Sequence, residues 1–154
     1  MLSAVLAAVF VLCTGVLAGA LVAVERAVVP MLLRLPRQTW SEVHRLLDPG
    51  FDPLMPTVNK VALATGLGLS FLAPTSAAKA TFACALASVV GVALVSELRN
   101  VRMNRRIDAW AEAGEIPDGW GALRADWARA NRLRTACAVA GFCAALGGCW
   151  LAWG

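Results

Sequence analysis

The sequence predicts an all-α fold, an integral membrane four-helix bundle with cytoplasmic helical extensions. Three observations lead there. Of 154 residues, 59% are hydrophobic and only 16% charged, with a mean hydropathy of +0.67, whereas an average soluble domain carries roughly 25% charged residues. The charges are absent from four long stretches and crowded between them. The crowded segments alternate apolar and polar residues at helical spacing, so they read as helices and not as flexible tails. Such hydrophobicity excludes disorder, and the length allows one domain over 1–154.

Met1 to Val24 carries no charge, and a helix of that length rises about 36 Å, enough to cross a ~30 Å hydrocarbon layer with some tilt. A cleaved secretory leader competes, through Ala18-Gly19-Ala20. It is disfavoured because no basic n-region precedes the run, which is also longer than a signal's apolar core. Gly15 and Gly19 form a GxxxG spacing that lets another helix approach closely. Trp40 to Asp48 reads as a short amphipathic helix stopped by Pro49-Gly50. The second span is expected at about 58–74, with Thr57 as its N-cap and Asn59 in its first turn. Pro74-Thr75-Ser76 then supplies a tight turn into a third span at about 78–96, which should continue past the membrane as a helix. The fourth span, 134–154, should begin as a helix near Trp120, because no breaker follows Gly121.

Charge placement orients these spans. All 14 lysines and arginines except Lys79 fall in the first and third connections. The positive-inside rule puts both connections in the cytoplasm, so a multi-pass plasma-membrane protein with both termini extracytoplasmic is expected. Trp150 and Trp153 suit the outer interfacial belt. The partner of the basic excess is therefore the lipid bilayer, and no nucleic-acid partner is expected.

Several chemistries are excluded. The five cysteines lie in apolar runs without a CxxC pair, which argues against a thiol oxidoreductase. Cys137, Cys143 and Cys149 are spaced so that successive sulfurs point about 120° apart, so they cannot converge on one metal. His44 is the single histidine, and no metal, haem or di-iron ligand spacing occurs, so no metal site and no cofactor are expected. An ion-coupled drug carrier needs an ionisable group deep in a span, and the four uncharged runs offer none.

The informative polar residues gather at the cytoplasmic side. His44 and Asp48 are i,i+4 neighbours, so the carboxylate should orient the imidazole and raise its pKa. Glu97, Asn100, Asn104 and Asp108 share one helical face, with Arg99, Arg102 and Arg106 opposite. Trp127, Asn131 and Arg134 share a face that continues as Ala138, Gly141 and Ala145. An arginine on such a face needs a partner, and Glu97 or Asp108 is the expected one. A pocket lining and a plain inter-helix contact both remain open for these polar groups.

Three stretches carry a resemblance. They are His44-Arg45-Leu46-Leu47-Asp48-Pro49-Gly50-Phe51-Asp52-Pro53-Leu54-Met55-Pro56, then Asn100-Val101-Arg102-Met103-Asn104 with Trp110, then Trp127, Asn131 and Arg134-Thr135. In order and spacing they resemble the anthrone oxygenase-like family of small four-helix membrane proteins. The resemblance implies oxidation of an anthrone to an anthraquinone by O2 without an evident cofactor. A lipophilic aromatic small molecule would be the second partner. On that reading His44 with Asp48 forms the catalytic pair, and Asn59, Glu97, Asn100, Asn104, Trp127, Asn131 and Arg134 bind substrate. Asn131 departs from the resemblance, which leads one to expect histidine there. The alternative is a non-enzymatic membrane protein with a structural or accessory role.

Overall fold

A computed structural model describes residues 1–51 and 53–154, with Asp48 described in its backbone alone. Five helices account for nearly all of the chain, and there is no strand among the described residues. They are α1 (Leu2–Leu32), α2 (Arg37–Phe51), α3 (Leu54–Leu72), α4 (Ser76–Ala113) and α5 (Trp120–Trp153). Helices α1, α4 and α5 are each long and apolar enough to cross a membrane. Helix α3, where the second span is expected, is not among them, because Asn59 and Lys60 fall within its 19 residues.

The helix ends follow local chemistry. Helix α1 runs past the expected limit at Val24 to Leu32, and Pro36 prevents further continuation. Ala73, extended ahead of Pro74, ends α3, and the Thr75 hydroxyl caps α4 by accepting from the Ala78 amide at 3.1 Å. Gly114 ends α4 in the left-handed region, at φ 69°. Two expectations fail here. Helix α2 continues through Pro49 to Phe51, because one lost rung weighs less than the packing of the face that carries Trp40, His44 and Leu47. Helix α3 starts at Leu54, and the Thr57 hydroxyl donates back to Pro53 O at 2.9 Å instead of capping.

Two long helices carry a π-helical turn, Val24–Val28 in α1 and Ser96–Asn100 in α4. Pro30 explains the first: its ring would clash with the Arg26 carbonyl four residues back, so the helix widens there. At the second, the Ser96 hydroxyl donates to Val92 O at 2.8 Å, a back-bond that bends helices.

Helices α1, α3, α4 and α5 pack as a ring in which α1 and α4 each touch both α3 and α5. The end holding Ala7, Ala73, Ala78 and Ala145 is closed by small residues and two rings. Phe10 and Phe82 meet edge to face at 6.1 Å, and each sits against a glycine, Gly66 and Gly148 respectively. In lipid, apolar burial drives helix association weakly, so such close fits carry the packing. Gly15 behaves this way toward Phe142, whereas Gly19 has no neighbour within 4 Å, so half of the GxxxG spacing is used inside the bundle. Large apolar side chains such as Leu12, Phe71 and Leu94 point outward. At the opposite end a second core forms around Val29, Leu32, Trp40, Ile107 and Trp127, where α2 lies against the extension of α4.

Candidate functional site

Between the two cores lies a cavity of about 530 Å³, within the ~300–1,000 Å³ usual for small-molecule sites. Its apolar wall comes from α1 (Leu17, Leu21, Val24, Val28) and the start of α3 (Met55, Leu63), with Leu47 and Phe51 of α2 across the end. Polar groups enter from four helices. Helix α2 brings His44, α3 brings Asn59 and Lys60, and α4 brings Ser96, Glu97, Asn100, Asn104, Arg105 and Asp108. Helix α5 contributes Trp127 and Arg134.

His44 is 3% exposed, and neither ring nitrogen has a hydrogen-bond partner among the described residues. Its ring stands at 5.1 Å from Trp127, edge to face, and at 5.8 Å from Trp40, which in turn lies 5.7 Å from Trp120. Arg124 sits 4.4 Å over the Trp120 ring and donates to Leu35 O at 3.2 Å, closing the cluster. Burial in this aromatic nest pushes the imidazole pKa down to about 4. The expected rise does not occur, because desolvation dominates; the Asp48 side chain, its expected partner, lies outside the described residues. At neutral pH His44 is therefore uncharged.

Asn100 ends the π turn of α4 at 2% exposure, and both its Oδ1 and its Nδ2 lack partners. Asn59 Oδ1 and Asp108 Oδ1 are likewise buried and unpaired. An unmet buried polar group is costly, and a polar guest in the cavity could satisfy these three.

Asn131 is the correction. It does not line the cavity; it is fully buried behind the wall. Its Nδ2 donates to Glu25 Oε2 at 2.8 Å, and its Oδ1 accepts from Arg134 Nη2 at 2.9 Å. Helical phase placed it beside Trp127 and Arg134 correctly, but its amide is consumed between α1 and α5. Arg134 also donates to Ser96 Oγ at 3.4 Å, and it forms no ion pair with Glu97 or Asp108 among the described residues. The carboxylate of this network is Glu25, which the sequence reading passed over. The signal was present as an acid just beyond the first uncharged run, near a proline that widens the helix.

Other expected residues line one cavity: His44, Asn59, Glu97, Asn100, Asn104, Trp127 and Arg134. Lys60 and Arg105 join them unforeseen. Among the described residues no three His, Cys, Asp or Glu side chains gather as metal ligands, and the five cysteines are all free.

No curated protein and no solved structure matches the chain. Residues 44–144 match the family described as anthrone oxygenase, a stretch that begins at His44 and takes in the α2 face, all of α3 and α4, and the cavity-lining part of α5. The chain belongs to the anthrone oxygenase family.

Proposed function

We propose that the protein is a membrane-embedded, cofactor-independent oxygenase acting on a flat polycyclic aromatic of the anthrone type, or a similarly lipophilic relative, with O2 as co-substrate. One observation carries this reading: an apolar cavity of about 530 Å³ whose wall holds a neutral imidazole with no hydrogen-bond partner among the described residues. We propose four crossings, with α3 as the second. Helix α3 reaches from the cavity to the far end of the bundle, where the Thr75 hydroxyl just beyond it donates to Leu151 O at 3.2 Å.

The chemistry needs little from the protein. An anthrone carries a CH2 opposite a ketone, so losing a proton moves negative charge onto the ketone oxygen. His44 accepts that proton. Its low pKa disfavours the imidazolium alone, but the adjacent enolate offsets this in a site of low dielectric. Asn100, Asn104 and Arg134 donate to the enolate oxygen as its charge develops, and Trp127 stacks on the rings. The enolate passes one electron to O2, and the resulting carbon radical and superoxide join in a C–O bond. Protonation by the imidazolium gives a hydroperoxide. Loss of the second hydrogen of that carbon as a proton then breaks the O–O bond and releases water. The balance is CH2 + O2 → C=O + H2O, with all four electrons from the substrate. No external reductant enters, which is why cofactor independence follows from the substrate.

A non-enzymatic accessory role is the second reading, favoured by the polar chain Glu25–Asn131–Arg134, which ties helices together without any guest. Oxygen uptake decides between them. Detergent-purified protein given anthrone should consume one O2 per anthraquinone formed, faster than a protein-free control, and His44→Ala should fall to the control rate with its helical content intact. If wild-type uptake equals the control, the oxygenase reading for this substrate fails.

A further inference from the structure

We propose that Glu25 is a positioning residue: acting through Asn131, it holds the Arg134 guanidinium at the cavity wall to receive a ligand oxyanion. The functional half rests on the reading of the cavity as a substrate site; the positioning half does not.

The chemistry of the three groups permits one arrangement. A carboxylate only accepts hydrogen bonds and a guanidinium only donates them. An asparagine held between them must turn Nδ2 to the acid and Oδ1 to the arginine, which is the orientation found, at 2.8 and 2.9 Å. Asn131 has no exposed surface, so water cannot substitute for either bond. Without an acceptor at Glu25, Asn131 Nδ2 is left a buried donor with no bond, and nothing on that side holds the amide in place. An amide that shifts or flips to find another acceptor takes Oδ1 from the guanidinium, and Arg134 loses one of the bonds that aim it.

The neighbouring bonds make this a device for aim. The Ser96 hydroxyl donates to Val92 O and so turns a lone pair to Arg134 Nη1 at 3.4 Å. The Thr135 hydroxyl reaches Leu21 O at 3.2 Å, locking α5 to α1 at the same level. Glu25 and Ser96 each lie in a π-helical turn, so both irregularities supply a ligand to this network. Arg132 Nε also reaches Glu25, at 3.2 Å, but its side chain is 73% exposed, and ion pairs so solvated contribute little. The strong, buried link from Glu25 is the one to Asn131.

Two probes of one shape separate charge recognition from packing: anthracene-2-carboxylate, whose carboxylate stands in for an enolate oxygen, and anthracene. Binding is read from tryptophan fluorescence in detergent. Wild type should prefer the anion by about tenfold, the scale of one charge-assisted bond. Glu25→Met, which keeps length and removes the acceptor that holds Asn131 Nδ2, should abolish that preference, as should Arg134→Gln, and the double variant should lose no more. Anthracene affinity should stay constant throughout. Retention of the preference in Glu25→Met overturns the proposal. If wild type binds neither probe, the substrate-site reading fails with the functional half, and the ligand-free arm decides the positioning half. In that arm, with arginine labelled by nitrogen-15, exchange of the Arg134 Nη2 protons should quicken about tenfold in Glu25→Met, by loss of the bond to Asn131 Oδ1. Unchanged exchange overturns it.

Discussion

His44 shows how burial alone can set a side chain's chemistry. With a pKa near 4 in the fold and about 6.5 when unfolded, the unfolded chain binds the extra proton between those values. Stability is therefore complete above pH 6.5 and declines as pH falls through 4, by about 3 kcal/mol. Thermal unfolding in detergent should show this slope in wild type, beyond the slope of His44→Gln; equal slopes in both would remove burial of the neutral ring as the cause. The same displacement predicts that the acid limb of substrate oxidation lies near pH 4 and not near 6.5, as a pH–rate profile with anthrone would read. Single residues also mark what sequence reading could reach. Glu97, Asn100 and Asn104 could be grouped on one face of α4, and Trp127 and Arg134 on one face of α5, because each set follows the period of a single helix. Asn131 was misassigned because helical phase gives direction around an axis and says nothing about which partner arrives first.

Helices in this protein are positioned by small residues and distorted by local chemistry. At Gly148 an added Cβ would come within 2.8 Å of the Phe82 ring, whereas at Gly19 it would meet nothing within 4 Å. Gly148→Ala should therefore destabilise by about 1–3 kcal/mol, the usual cost of overpacking. Gly19→Ala should be neutral or stabilise by up to about 1 kcal/mol through helix propensity. Melting curves of the two variants in one detergent check the contrast, and equal losses would mean the ring at Gly148 moves freely. Helix α2 teaches a related lesson. Pro49-Gly50 is a strong stop signal, yet the packing of the face that carries Trp40, His44 and Leu47 takes the helix through it.

Over the whole molecule, one end is sealed by alanines, glycines and paired phenylalanines, and the other by tryptophans around His44, with the cavity between. The proposed four crossings, with the basic connections inside, would place the Pro74 turn outside and the connection before α5 inside. In a cysteine-free background, Pro74→Cys should react with a membrane-impermeant thiol reagent on intact cells, and Asp118→Cys only after permeabilisation. Failure of Pro74→Cys to react from outside would mean that α3 does not cross, leaving three spans and termini on opposite faces.

Charge-free stretches, helical periodicity and the three motif-bearing segments were enough to reach an all-helical chain, its long apolar helices and its family, because each is a property of composition or of spacing along one helix. The cavity, the lowered pKa of His44 and the Glu25–Asn131–Arg134 link belong to the tertiary structure. They join residues as distant as 25 and 131, and such meetings depend on how helices widen, lean and bury one another, which no period within a single helix encodes.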